Sequence, residues 1–216
     1  MYKRQYLYLT KGEGILNFPA AEVGGFFCSD PSLDRPDLQM HFTRVSGDRD
    51  IDNNSTLDDL PGVTSIAYLT RPESRGSVKI TSSDSTKQPL IDANYLATEN
   101  DRIALIAGVK RLRDIFASAS LATVIGQELR PGVAVESDED ILAYIQQHGT
   151  TAFHPVGTCK MGNDDLAVVD DRLRVHGVSN LRVVDASIMP TLISGNTNAA
   201  TIMIAEKGAD LILGVK

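Results

Sequence analysis

The stretch from His154 to Asp210 restricts the fold of this chain most strongly. It opens with HPVGTCKMG, continues through RLRVHGVSNLRVVDASIMP and closes with SGNTNAATIMIAEKGAD. The middle phrase predicts two short strands, Leu173 to Val175 and Leu181 to Val184, around a turn at Gly177. The last phrase predicts a helix over Asn198 to Leu213 with apolar residues around much of its circumference. Such a helix needs cover on more than one side.

In this order and at this spacing, the three phrases resemble the C-terminal signature of the glucose-methanol-choline (GMC) oxidoreductases, which are FAD enzymes that oxidise alcohols. Three separate phrases agree, so the match is more specific than one short pattern. A weaker resemblance covers TRPESRGSVKITSSD and the IDANYL that follows it, and the chain resembles the choline dehydrogenase branch of the family. The resemblance implies FAD as the cofactor and a small-molecule alcohol as the substrate.

The part of the chain before His154 predicts strands and helices without regular β-α-β alternation, which is typical of an α+β fold. Strands are expected over 37–45, 62–69 and 76–82, a polar loop over 46–62, and helices over 1–9, 99–119 and 137–148. The apolar stripe of the helix over 99–119 consists of Ile103, Ile106, Val109, Leu112 and Phe116.

The family resemblance sharpens this fold prediction. It implies an antiparallel-sheet substrate domain with flanking helices, followed by the C-terminal return segment of an FAD-binding domain. We therefore predict a partial substrate-binding domain over residues 1–150. Residues 151–216 are expected to form the active-site and FAD-domain return segment.

His154 is the predicted catalytic base. Oxidation of an alcohol to a carbonyl removes a proton from oxygen and a hydride from carbon, and a flavin accepts the hydride at N5. The protein must then supply a base beside the hydroxyl, and histidine suits this because it titrates near neutral pH. His154 stands where the phrase resembles the catalytic histidine of the family. Pro155 and a turn at Gly157 are expected to hold it rigidly.

The second catalytic position in the family is a histidine or an asparagine, and two asparagines, Asn196 and Asn198, are candidates here. The spacing from Asp185 and from Ala205-Glu206 favours Asn196. An asparagine side chain can hydrogen-bond a substrate oxygen without competing for its proton. Asn198 is then interpreted as a flavin contact or as the cap of the last helix.

Five residues are predicted to contact FAD. Asp185 and Ala186 belong to a phrase that resembles the family's approach to the ribityl and phosphate region of the flavin, although an aspartate that ends a strand is also a common turn or cap residue. The backbone amides of Thr197, Asn198 and Ala199 lie at a helix start, where an anion such as reduced flavin is favoured.

Composition and other motifs exclude several classes of function. The net charge of −7 and the pI near 5.1 argue against a nucleic-acid-binding or anionic lipid-binding face. His154, Cys159 and His176 do not fit a common zinc spacing, so no metal is expected. His41 lies on a strand that the family resemblance places beside the substrate pocket, but it is interpreted as a solvated strand histidine. With no secretory signal and no run of 18 apolar residues, the expected location is the cytoplasm.

The sequence contains no G-x-G-x-x-G fingerprint, which in this family holds the ADP half of FAD. We therefore interpret the chain as a fragment whose N-terminal FAD-binding half is missing or is supplied by a partner chain. A non-catalytic fragment that keeps the fold but holds no flavin is the alternative. The uncovered apolar face of the last helix predicts self-association.

Overall fold

Short strands and well-delimited helices make up the fold. The computed structural model describes residues 2–14, 17, 19, 21–49 and 55–214. In chain order the elements are α1 (Tyr2–Lys11), β1 (Val23–Phe27), β2 (Leu38–Thr43), β3 (Gly47–Arg49), β4 (Ser55–Leu57), β5 (Thr64–Leu69), β6 (Ser77–Lys79), β7 (Leu90–Asp92), α2 (Glu99–Phe116), α3 (Asp138–His148), a 3₁₀ helix (Ala186–Ile188) and α4 (Asn198–Leu213). This mixture of helices and antiparallel strands confirms the predicted α+β class.

Local signals explain where three helices begin or end. The Thr98 hydroxyl accepts a hydrogen bond from the Asp101 amide at the start of α2, and the Ser137 hydroxyl accepts one from the Asp140 amide at the start of α3. Each such cap stabilises a helix by about 1 kcal/mol. α1 ends just before Gly12, whose φ of +62° is a conformation that glycine adopts at little cost. The starts of α2 and α3 agree with the sequence prediction, whereas α1 extends to Lys11, beyond the predicted end at residue 9.

The central sheet is antiparallel with the strand order β1-β2-β5. Gln39 of β2 lies opposite Phe26 of β1 and Tyr68 of β5. Successive side chains of a strand point to opposite faces. Leu38 lies on the face that packs against α2, where it is fully buried next to Gly108. The opposite face, which we call the open face, carries Phe26, Gln39, His41 and Tyr68.

Several short strands do not follow the sequence prediction. β1 and β7 were not expected, and the predicted loop over 46–62 contains the antiparallel pair β3 and β4, with residues 50–54 of that loop outside the described part of the chain. Three-residue strands are too short for alternation to show in the sequence. β1 also contains two glycines, and glycine is depleted in strands.

The predicted apolar stripe of α2 is wrong in part. Ile103 is 57% exposed, whereas Ala104 and Gly108 lie on the buried face. Small residues allow a close approach of helix and sheet. A Cβ on Gly108 would lie 3.2 Å from the Cβ of Ala67 in β5. The buried face of α2 therefore includes small residues beside Ile106, which is buried as predicted.

Asp101, in the first turn of α2, clamps the turn that follows β5. Its carboxylate is 3% exposed and accepts hydrogen bonds from the backbone amides of Glu73 and Ser74, both at 2.8 Å, and from the Ser74 hydroxyl. Burial raises the pKa of Asp101, but the bonds from Ser74, Glu73 and Thr98 outweigh it, so the pKa lies below the ordinary 3.8.

We expect Asp101→Asn to lower the free energy of unfolding by about 1.5–3 kcal/mol, because one amide oxygen replaces a carboxylate that accepts several hydrogen bonds. Urea unfolding measures the change, and Asp114→Asn on the exposed side of α2 is the control. A lowered folded pKa contributes stability above the unfolded pKa that is lost as pH falls through the folded value. The difference between wild type and Asp101→Asn should therefore shrink below about pH 4. A difference that is equal at all pH values would contradict this account.

The C-terminal part of the chain has its own apolar core. The buried members of this core are Val169, Leu173, Ile188, Met189 and Ile204. The two strands predicted here form only isolated bridges, Arg174 with Arg182 and Val169 with Val175. Gly177 makes the turn between them with a φ of +73°. The pairing is thus as predicted, but neither segment is long enough to form a regular strand.

α4 has the bounds that the sequence predicts, and it is covered on one side only within the described residues. Ile204 is 7% exposed, and Gly208 packs so closely on Val184 that a Cβ would overlap its side chain. Ile202 and Met203 are instead more than half exposed, at 54% and 58%. The expected uncovered apolar face is therefore present, while self-association stays a prediction.

Candidate active site

One pocket gathers residues from three separate segments of the C-terminal part. It encloses about 390 Å³ and is lined by Phe153, His154, Pro155, Ala186, Asn196, Thr197, Asn198 and Thr201. Five residues predicted to act in catalysis or cofactor binding thus meet in one place. The other two, Asp185 and Ala199, are sequence neighbours of lining residues but do not line the pocket themselves.

His154 is exposed to this pocket on a constrained backbone. Phe153, which precedes it, has a φ of +61°, a conformation that costs energy in a residue other than glycine. Pro155, which follows it, restricts His154 itself to extended conformations. Further along, the amides of Cys159 and Met161 donate to the carbonyls of Ser187 and Ile188 at 3.0 and 2.8 Å. These bonds join the histidine segment to the 3₁₀ helix.

Asp185 has a clear structural role. Its Oδ1 accepts a hydrogen bond from the Ser187 amide at 2.8 Å and caps the 3₁₀ helix. This cap fixes the backbone at Ala186, which lines the pocket. The side chain of Asp185 therefore acts on the pocket through Ala186 in this structure.

The first turn of α4 presents its amides to the same pocket. Thr197 is the N-cap residue, yet no side chain caps the helix there. Asn198 is the first helical residue, so its interpretation as the cap of this helix is wrong. An uncapped helix start leaves backbone N–H groups to bind acceptor atoms or an anion. This donor set fits the oxygen- and nitrogen-rich edge of a flavin ring.

Asn196 is bound to the open face of the central sheet. Its Oδ1 accepts a hydrogen bond from Gln39 Nε2 at 3.1 Å. In the same loop, Gly195 lies near the ring of Phe26. A Cβ on Gly195 would be 4.0 Å from the Cζ atom of Phe26. The sheet therefore contacts the loop that precedes α4.

His41 is not the solvated histidine that the sequence suggested. Its imidazole is partly buried, and the Tyr68 hydroxyl lies 2.9 Å from both ring nitrogens. Gln39 Nε2 lies 3.3 Å from His41 Nε2. Burial raises the pKa of Tyr68, which keeps its hydroxyl protonated. The i, i+2 spacing of Gln39 and His41, which places both on one face of β2, is a sequence signal for this group.

A metal site and a membrane-spanning helix are both absent from the described residues. No group of three or more histidine, cysteine, aspartate or glutamate side chains is arranged to hold a metal ion in this part of the chain. Across the same described ranges, no helix is both long and apolar enough to cross a membrane.

Comparison with known proteins decides the family. A family profile described as GMC oxidoreductase matches residues 72–205, which is more than half of the chain. The chain belongs to the GMC oxidoreductase family. It is 44% identical over 209 residues to the oxygen-dependent choline dehydrogenase of Proteus mirabilis (strain HI4320), and 45% identical over 208 residues to the alcohol dehydrogenase [acceptor] of Pseudomonas putida. These alignments cover 97% and 96% of the chain but only 37% of either relative.

Solved structures agree with this GMC assignment. Pyridoxine 4-oxidase from Mesorbium loti is similar with a TM-score of 0.79 and 31% identity, over 90% of this chain and 38% of that protein. A structure of formate oxidase from Aspergillus oryzae RIB40, solved to show the effect of a mutation on FAD modification, is similar with a TM-score of 0.74 and 27% identity. The match covers 84% of this chain and 32% of the formate oxidase chain. FAD is the cofactor that the GMC comparisons indicate.

Proposed function

We propose that this chain forms the alcohol-binding side of an FAD-dependent GMC enzyme, which oxidises a CH–OH group to a carbonyl. The observation that carries the proposal is the meeting of His154, Asn196 and the uncapped start of α4 in one pocket. A base, a hydrogen-bond donor and a set of backbone amides are the three parts that the reaction requires beside a flavin.

His154 acts as the general base in this mechanism. Bound FAD supplies the acceptor for the hydride that leaves the alcohol carbon. His154 takes the hydroxyl proton, which raises the electron density on the substrate oxygen and favours departure of the hydride. Its exposed position in the pocket allows direct contact with a substrate hydroxyl. The constrained backbone on either side reduces the entropy lost when the imidazole is aligned.

Asn196 acts as the donor to the substrate oxygen. Its own oxygen is already engaged by Gln39, so its amide nitrogen remains to stabilise charge that develops on the alcohol oxygen. Asn198 is the alternative for this role on a specific observation. Among the described residues its side chain has no hydrogen-bond partner in this structure, so its whole amide group is available to a ligand.

The cofactor-facing residues act mainly through the backbone. Asp185 orders the turn that presents Ala186, and the amides of Thr197, Asn198 and Ala199 at the start of α4 receive the flavin ring edge. The adenine and pyrophosphate half of FAD requires a fingerprint that these 216 residues do not contain. We propose that a further segment or a partner chain supplies it. Residues 1–150 then contribute to substrate binding, and residues 151–216 cross the active site.

A hybrid enzyme tests this function. The 216 residues replace the matching segment of the Pseudomonas putida alcohol dehydrogenase [acceptor], which is 45% identical over 208 residues. We expect the hybrid to bind FAD and to oxidise a primary alcohol, with slower turnover when the α-hydrogens are replaced by deuterium. The unmodified host is the control. The non-catalytic alternative would be supported by a hybrid that folds and binds FAD, but whose FAD is not reduced by any alcohol that the host oxidises.

A further inference from the structure

A buried glutamine connects the open face of the sheet to the pocket. Gln39 is 5% exposed, although its side chain is polar. Its Nε2 donates to Asn196 Oδ1 at 3.1 Å and lies 3.3 Å from His41 Nε2. Gln39 and Asn196 are 157 positions apart in the chain. A buried amide is costly unless it is hydrogen-bonded, so these two partners account for its place in the interior.

The hydrogen bond from Gln39 determines which way the Asn196 amide faces. A terminal amide torsion has two broad minima, and an exposed asparagine in a loop can occupy both. Gln39 Nε2 is a donor, so it selects the orientation in which Oδ1 of Asn196 faces the sheet. The amide nitrogen of Asn196, on the other side of the group, is then presented for donation in the pocket.

Neighbours on the open face hold Gln39 itself in place. Tyr68 lies directly opposite Gln39 in the sheet, and its hydroxyl is 2.9 Å from both ring nitrogens of His41. The two rings meet edge to face with centroids 5.2 Å apart. In the His41 tautomer that carries its proton on Nδ1, Nε2 accepts the second amide proton of Gln39. In this arrangement both protons of Gln39 Nε2 have partners, and the Gln39 amide that faces Asn196 is held in one orientation.

We propose that Gln39 is a positioning residue that holds Asn196 with its amide nitrogen turned to the pocket that contains His154. Gln39 does not line this pocket, so it acts only through Asn196. The inference rests on the proposed function in one respect, the donor role of Asn196. It adds a residue from the substrate-side sheet that sets the geometry of the C-terminal loop.

The kinetic test compares Gln39→Met and Gln39→Glu in the hybrid enzyme. Both replacements are close to glutamine in size, and neither the methionine thioether nor an ionised glutamate carboxylate can donate to Asn196 Oδ1. We expect each to lower kcat about tenfold, in keeping with the loss of one hydrogen bond in the transition state. Gln147→Met, on the exposed surface of α3, is the matched control and should leave kcat unchanged. In an Asn196→Ala background the same Gln39 replacements should change kcat less than about twofold, because the residue through which they act is gone.

A second readout does not depend on activity. The side-chain amide of Asn196 in the 216-residue chain gives a ¹H–¹⁵N signal that is identified by its disappearance in Asn196→Ala. We expect this signal to move in Gln39→Met and to stay in place in Gln147→Met. An Asn196 signal that is the same in Gln39→Met and wild type would overturn the proposal.

The outcomes separate this inference from the proposed function. If Asn196→Ala turns over normally, the donor role of Asn196 is wrong, and the amide signal alone then decides whether Gln39 orients it. If Asn196→Ala is slow while Gln39→Met is not, Asn196 acts without help from Gln39 and the positioning role is overturned. Equal effects of Gln39→Met in both backgrounds would assign it a general structural role and would also overturn the proposal.

Discussion

His154→Ala should lower kcat of the hybrid enzyme by about 10²–10⁴-fold, the range that a general base contributes. FAD should stay bound, because the proposed cofactor contacts come from the start of α4 and from Ala186 rather than from the imidazole. The loss should shrink as pH rises, since hydroxide increasingly replaces the missing base. Steady-state turnover of one alcohol across a range of pH, with the flavin absorbance recorded for each preparation, measures both effects.

His148→Ala is the matched control for this substitution. His148 ends α3, where its ring stacks on Tyr144 with centroids 4.6 Å apart, and it does not line the pocket. Its removal should leave turnover close to wild type. Near-normal turnover of His154→Ala at neutral pH would show that another group takes the proton.

The asparagine variants complete the comparison. Asn196→Ala should reduce kcat less than His154→Ala does, because it removes a hydrogen bond of about 1.5–3 kcal/mol to an oxygen that gains charge and leaves the base in place. Asn198→Ala, measured beside it, decides between the two amides. A larger loss for Asn198→Ala would assign the donor role to the first residue of α4.

The second large effect concerns the cofactor. The 216-residue chain alone should lose FAD completely on dialysis, whereas the hybrid should retain it. The fingerprint glycines and their helix hold the pyrophosphate in this kind of site, and the contacts proposed for this chain reach only the flavin end of the cofactor. Loading with FAD and dialysis against buffer that contains no FAD, followed by the absorbance of bound flavin near ~450 nm, measures retention. The hybrid that carries an intact host fingerprint is the control, and stoichiometric flavin on the isolated chain would contradict the prediction.

Local signals in the sequence predicted much of this fold. The cap at Ser137 and the glycine after α1 determine helix boundaries through hydrogen bonds and torsions within a few residues. The apolar run over α4 marks a helix with the same bounds in the structure. Three linked phrases also indicated the GMC family, which the family profile confirms. Each of these signals lies within a short stretch of chain, so a sequence displays it directly.

Tertiary structure alone decided how the parts meet. Nothing in the spacing of β2 indicates that Gln39 bonds to Asn196, 157 positions later, or that His41 is bound by Tyr68 rather than by water. The buried face of α2 likewise depends on the close approach of Ala67, which favours Gly108 over Ile103. Contacts between distant segments depend on sheet register and on loop position. Register and loop position follow from the packing of the whole molecule, and neither produces a periodic pattern in the sequence.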